Sequence, residues 1–211
     1  MTKIKICGIK TLQDALAAAE AGADMLGFNF YPGSVRFVDL ATCLQISSPL
    51  RQDHPSVQLV GVFVNSSVEE IRRALDMCAL DLAQLSGDET PELRGALGDK
   101  AFKSFHGVPD TEVQPYARTQ GPAFLVDGAR SGSYGGTGVA PDWSAAAKLA
   151  RKYPLLLAGG LNPDNVAEAV EQVRPWGVDV ASGVESRPGE KDAGKISAFV
   201  EAVRSVEAES A

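Results

Sequence analysis

Eight short apolar or β-branched runs recur along the 211-residue chain, at residues 4–7, 25–30, 59–64, 82–85, 101–105, 123–126, 155–158 and 178–181. Segments with helical periodicity and explicit start signals separate them. Thr11 opens a Thr-x-x-Asp sequence, after which Leu12, Ala15, Leu16 and Ala19 form one apolar face and Gly22 supplies a stop. Ser67-x-x-Glu70 starts another helix with Val68, Ile71 and Leu75 as its stripe. Thr90-Pro91 and Asn162-Pro163 put proline where a first helical turn tolerates it. Parallel strands need crossover helices, and right-handed crossovers can close the sheet. The pattern therefore predicts an α/β chain, a single-domain (β/α)8 TIM barrel over residues 1–211. An open doubly wound sheet is the alternative, although no Gly-x-Gly-x-x-Gly loop follows the first strand to make it a dinucleotide fold.

With 45% of its residues hydrophobic, the chain can supply a large core. Twenty Lys and Arg against 27 Asp and Glu leave a net charge of -7, so general attraction to nucleic acid or to an anionic membrane is not expected. An anionic ligand would need a local site. Cys7, Cys43 and Cys78 are odd in number, far apart and without Cys-x-x-Cys or His-Glu-x-x-His company, which argues against a disulfide framework or a bound metal. The first residues enter a strand pattern without an apolar leader, and no apolar run approaches membrane-spanning length. A cytoplasmic protein is the expectation.

Alternation along the first strand places Ile4 and Ile6 on one face and Lys3, Lys5 and Cys7 on the other. If the isoleucines meet the helix layer, Lys5 and Cys7 face the barrel interior, with Cys7 at the C-terminal rim where such barrels carry their chemistry. A thiol there can act as nucleophile or base, or simply fill the core. In the sixth strand, parity groups Asp127 with Ala123 and Leu125 and puts its carboxylate on the same rim; Asp127-Gly128 also reads as an ordinary turn.

The loops after the strands add binding candidates. Residues 129–138 form a glycine-rich stretch longer than an average βα connection, suited to a lid, to backbone donors for a ligand or to a surface excursion. Gly159-Gly160 after strand seven and Ser182-Gly183 after strand eight stand where these barrels often hold phosphate on exposed N–H groups. Arg36, in the loop after strand two, has a planar fork that matches a carboxylate, although most loop arginines only meet solvent. His106, at the end of strand five, reads first as a structural histidine.

Several segments follow one another in a telling order: Lys5-Ile6-Cys7-Gly8, Gly22-Ala23-Asp24 leading to Gly27-Phe28, Phe30-Tyr31-Pro32 through Ser34 to Arg36, and Gly61-Val62-Phe63-Val64-Asn65. Gln84-Leu85-x-Gly87, Val126-Asp127, Tyr134-Gly135-Gly136-Thr137-Gly138 with Asp142-Trp143, Ala158-Gly159-Gly160-Leu161-Asn162-Pro163, and Val178-Asp179-Val180 through Ser182-Gly183-Val184-Glu185 continue the series. Together they span nearly the whole chain and resemble the phosphoribosylanthranilate isomerase family of tryptophan biosynthesis. The resemblance implies a cofactor-free, metal-free Amadori rearrangement of N-(5-phosphoribosyl)anthranilate, a phosphorylated aminoaldose, to 1-(2-carboxyphenylamino)-1-deoxyribulose 5-phosphate. It further implies that Cys7 is general base and Asp127 general acid, that Arg36 holds the anthranilate carboxylate, and that Gly159, Gly160, Ser182 and Gly183 belong to a phosphate clamp. The implied partner is a small-molecule substrate, with monomer or homodimer left open.

This chemistry sets demands on both groups. The furanose ring oxygen must be protonated to leave, and the resulting iminium acidifies the C2′ proton, whose removal gives an enolamine that ketonises. An aspartate with a pKa of about 3.9 is protonated only about once per thousand molecules at pH 7, so Asp127 is expected to be raised by the charges around it. A cysteine with a pKa of about 8.5 is only about 3% thiolate there, so Cys7 is expected to be helped by Lys5 or a local dipole. The chain departs from the family pattern at Ser86, where histidine is usual, and at Val35 and Gly128. Competing readings are a sugar-phosphate epimerase, which tends to need paired acids or a metal, and a Schiff-base aldolase, which needs a lysine where Asp127 stands. A phosphate-binding module without turnover is the non-enzymatic alternative.

Overall fold

The eight runs form parallel strands that neighbour one another in sequence order: β1 (Lys3–Cys7), β2 (Met25–Asn29), β3 (Gln58–Phe63), β4 (Leu82–Leu85), β5 (Ala101–His106), β6 (Phe124–Asp127), β7 (Leu155–Leu157) and β8 (Gly177–Val180). β8 pairs back onto β1, with Lys5 opposite Asp179, and this closes the barrel and removes the open-sheet alternative. The structure, a computed structural model, describes residues 1–109, 113–118, 120–128 and 141–209. The 129–138 loop and the roles considered for it lie outside the described residues.

Most helices start where their caps predict. Thr11 caps α1 (Leu12–Glu20) by accepting from the Asp14 N–H, and Asp39 caps α2 (Leu40–Asp53) in the same way. Ser67 and Glu70 form a reciprocal capping box on α3 (Val68–Met77), while Thr90 caps α4 (Pro91–Leu97) with Pro91 in its first turn. Asp142 caps α5 (Trp143–Ala150), and α7 (Ala193–Glu209) closes the described chain.

Two expectations fail. Asn162-Pro163 does not open α6 (Val166–Val173); Asn162 instead folds a turn, its Oδ1 accepting from the Asp164 N–H and its carbonyl from the Val166 N–H. Between β5 and β6 the described residues hold a 3-10 turn at Gln114–Tyr116 rather than an α-helix. Pro109, Pro115 and Pro122 break that stretch, since proline lacks the N–H of a helix interior and its ring clashes with the preceding turn. Val113 is buried and Tyr116 meets Phe105 edge-on, ring centroids 5.5 Å apart, so the turn covers the barrel in a helix's place.

Strand parity divides the core into two. Ile4, Ile6, Phe28, Leu59, Phe124 and Val126 pack into the layer between strands and helices. Met25, Val60, Leu82, Phe102, Leu125 and Leu156 fill the barrel itself. Each such side chain contributes about 1.5–3 kcal/mol by leaving water, and this packing fixes the strand ends that carry polar groups. Ala123 is the exception to the expected parity: it joins the outer layer because β6 begins one residue later, at Phe124.

Candidate active site

At the C-terminal ends of the strands, one pocket is lined by Cys7 from β1, Asp127 from β6, Arg36 from the loop after β2, Gly159 and Gly160 after β7, and Ser182 after β8. Gln84, Ser86, Ser104 and Asp179 also line it. Gly183 is the one expected residue outside the lining. It sits in the 3-10 turn Ser182–Val184 against the Leu161 carbonyl, where any Cβ would overlap, so it lets the turn after β8 close on the loop after β7. Gly159 and Gly160 take left-handed backbone, φ 94° and 64°, which residues with side chains rarely adopt.

Beneath the pocket, Lys5 is fully buried and its Nζ donates to Asp179 Oδ1 at 2.8 Å. A Cβ added at Gly27 would stand 2.9 Å from Cys7 Sγ and 3.1 Å from Lys5 Nζ, so thiol and ammonium lie side by side over that glycine. Burial opposes the Lys5 charge, but Asp179 and Cys7 outweigh it and hold its pKa above the ordinary value. For Cys7 the balance runs the other way: burial raises the thiol above its ordinary pKa despite the cations Lys5 and Lys191. Lys5 does act on Cys7 in the expected direction, but desolvation in the pocket exceeds the help the ammonium gives. Asp127 is buried, and its Oδ1 accepts from the Gly128 N–H at 2.7 Å. This bond to the next backbone N–H and the pocket position coexist in one residue.

Arg36 is held by a partner that sequence reading did not supply. Its Nε donates to Glu185 Oε1 at 2.7 Å and its Nη2 to Oε2 at 2.8 Å. Glu185 begins β9 (Glu185–Arg187), which pairs antiparallel with β10 (Glu190–Lys191) as a hairpin after β8. From β10, Lys191 Nζ donates to the Ala181 carbonyl at 2.8 Å and to Glu185 Oε1 at 3.0 Å. Burial works against the Glu185 charge, yet Arg36 and Lys191 hold its carboxyl below the ordinary range; burial in turn pushes Lys191 down. His106 keeps to structure, with Nε2 3.3 Å from the Ser86 carbonyl. Asp179 did carry a signal, because an interior lysine in β1 needs a counter-charge and β8, the strand that must close on it, contains one acid. Glu185 stands in the segments that carry the resemblance, but its pairing with Arg36 and Lys191 carried no signal, since their meeting depends on the hairpin.

Barrels of this kind place their chemistry on the loops at the strands' C-terminal ends, and all expected site residues except Gly183 line the pocket there; the molecule is a (β/α)8 barrel with its candidate site at that face. Residues 4–202 match the family model for N-(5′-phosphoribosyl)anthranilate (PRA) isomerase. The N-(5′-phosphoribosyl)anthranilate isomerase of Magnetococcus marinus is 46% identical over 202 residues, covering 96% of this chain and 95% of that protein. The crystal structure of phosphoribosyl anthranilate isomerase from Thermotoga maritima matches with a TM-score of 0.86 at 36% identity, over 97% of this chain and 100% of that one. A solved isomerase in complex with reduced 1-(o-carboxyphenylamino)-1-deoxyribulose 5-phosphate gives a TM-score of 0.80 at 35% identity, over 97% and 100% of the two chains. The chain belongs to the phosphoribosylanthranilate isomerase family.

Proposed function

We propose that this pocket performs the Amadori rearrangement of N-(5′-phosphoribosyl)anthranilate in tryptophan biosynthesis, with Asp127 as general acid and Cys7 as general base. The observation that carries the reading is that Cys7 and Asp127, from strands well separated around the barrel, line one pocket together with Arg36 and the loops at Gly159-Gly160 and Ser182. Asp127 gives its proton to the furanose ring oxygen as the C1′–O bond breaks and the anilino nitrogen's lone pair forms the iminium. Cys7, once it has lost its thiol proton against the pull of burial, then takes the C2′ proton as thiolate; the C–H electrons form the C1′–C2′ double bond and the iminium electrons return to nitrogen, leaving an enolamine. Protonation at C1′ and loss of the C2′ hydroxyl proton give the ketose. Acid and base each contribute about 10²- to 10⁴-fold, and they suffice for the reaction without a cofactor or metal.

Arg36 pairs with the substrate carboxylate, and N–H groups of the Gly159-Gly160 and Ser182 loops hold its phosphate, with Gly183 bracing them from behind. A related isomerase is solved in complex with a ligand that carries both a carboxylate and a phosphate, the two groups this reading assigns to separate parts of the pocket. On this reading residues 1–211 act as one catalytic domain. No helix among the described residues is long and apolar enough to cross a membrane. Cys7, Cys43 and Cys78 are free and buried, as suits the reducing setting of the cytoplasm.

The test is the loss of anthranilate fluorescence as substrate is isomerised, coupled to indole-glycerol-phosphate synthase to draw the reaction forward. Cys7→Ser and Asp127→Asn should each lower kcat by at least about a hundredfold while circular dichroism remains that of the folded protein. Near-normal turnover in either variant would remove that residue from its role.

A further inference from the structure

Glu185 takes no part in the acid–base steps, yet its surroundings converge on it. Its side chain, 3% exposed, accepts from Arg36 Nε and Nη2, from Lys191 Nζ and from the Gly189 N–H at 3.2 Å, while its carbonyl accepts from Lys195 Nζ at 2.7 Å. The hairpin also touches the Arg36 loop through backbone: a Cβ at Gly189 would stand 2.8 Å from the Val35 carbonyl, which accepts from Lys10 Nζ at 3.2 Å. On the other side the Arg36 stem crosses Gly8, where a side chain would collide with it.

A guanidinium presents five N–H donors in a rigid plane, enough for two carboxylates: one on the Nε–Nη2 side fork and one on the Nη1–Nη2 end fork. Glu185 occupies the side fork. Charge decides whether a second carboxylate is welcome. Arg36 and Glu185 alone sum to zero, which offers an incoming anion no net attraction. Lys191, its side chain 1% exposed, sets a second cation against the same Glu185 oxygen and leaves the trio at a net positive charge.

We infer that Glu185, backed by Lys191, is a positioning residue that clamps the side fork of Arg36 and so presents its end fork to the carboxylate of an aromatic-amine sugar phosphate. The inference rests on the reading of Arg36 as the carboxylate site. Two ligands separate its consequences: reduced 1-(o-carboxyphenylamino)-1-deoxyribulose 5-phosphate carries the carboxylate, and ribose 5-phosphate lacks it. Glu185→Gln should weaken the first by about tenfold or more and raise KM similarly, while leaving kcat and ribose 5-phosphate affinity within about twofold. Glu185→Asp keeps the charge on a shorter stem and should recover part of the loss; it also carries the test if Glu185→Gln fails to fold, since a selective loss supports the inference and no loss overturns it. Equal weakening of both ligands overturns it by making Glu185 a general support of the rim, and so does unchanged affinity. Arg36→Ala distinguishes the two levels. If it weakens the carboxylate ligand and Glu185→Gln does not, the inference alone fails; if it leaves that ligand unaffected, the carboxylate reading fails and takes the inference with it.

Discussion

The β1–β2–β8 side of the rim is built from buried charge, whereas the β4–β5 side is built from neutral polar groups. On the first, Lys5 pairs with Asp179, and Glu185 pairs with both Arg36 and Lys191, around Cys7. On the second, Gln84 donates to the Ser86 hydroxyl at 3.1 Å, and Ser104 completes the wall. The Lys103–Glu89 ion pair beside it lies outside the pocket lining, where Lys103 and Glu89 secure the backbone at Gly87 and Asn65. Losing one member of a buried pair strands an ion, at about 3–5 kcal/mol, whereas losing a neutral hydrogen bond costs about 0.5–1.5 kcal/mol. The charged side is therefore constrained as sets of residues, and the neutral side tolerates exchange. Ser86, standing where the family pattern has histidine, falls on the tolerant side.

The largest effect should come from Asp179→Asn, which leaves Lys5 buried without its counter-charge. Urea unfolding should show a loss of about 3–5 kcal/mol at neutral pH, and a loss below about 1 kcal/mol would break the contrast at its strongest point. Because the fold raises Lys5 above its ordinary 10.5, this contribution is fully present below that pH and disappears as pH rises through the folded value.

A second measurement concerns which force governs Cys7. With burial holding the thiol above 9.0, alkylation of Cys7 by iodoacetamide, followed by mass spectrometry, should be slower at pH 7 than for a free thiol. Its rate should climb about tenfold per pH unit past that value, following the thiolate fraction. A plateau below pH 8 would show that the Lys5 charge outweighs desolvation.

Smallest of all should be Ser86→Ala, which removes the acceptor of the Gln84 amide. It should cost about 1 kcal/mol of stability and change kcat/KM by no more than about threefold. A hundredfold fall would move the neutral wall into the chemistry.

What the sequence made legible depended on local or periodic physics. The alternation of Ile4 and Ile6 with Lys5 and Cys7, and of Phe124 and Val126 with Leu125 and Asp127, reports the barrel's inner and outer faces because successive strand residues point opposite ways. Thr11, Ser67 and Thr90 announce helices because a cap is a contact across three residues. Pro109, Pro115 and Pro122 before β6 argue against a helix, but the strand–helix repeat around them led to one being expected there. By contrast, the Arg36–Glu185 pair joins residues 149 apart and exists only once the hairpin after β8 is in place. The protonation of Cys7 was beyond reach for another reason: residue identity gives the sign of each influence, but burial, which decides the outcome, belongs to the assembled fold.

The Lys5–Asp179 bond joins the first strand of the barrel to its eighth across 174 residues, and this has a consequence for synthesis. At about 5–20 residues per second a ribosome takes roughly 9–35 s to make that span, and throughout it the lysine has no permanent counter-ion. A nascent chain that stacked its early strands and helices would still have to keep Lys5 in water. The barrel is thus sealed by an ion pair whose second member arrives only with its eighth strand, and a product ending before β8 leaves Lys5 without that counter-charge.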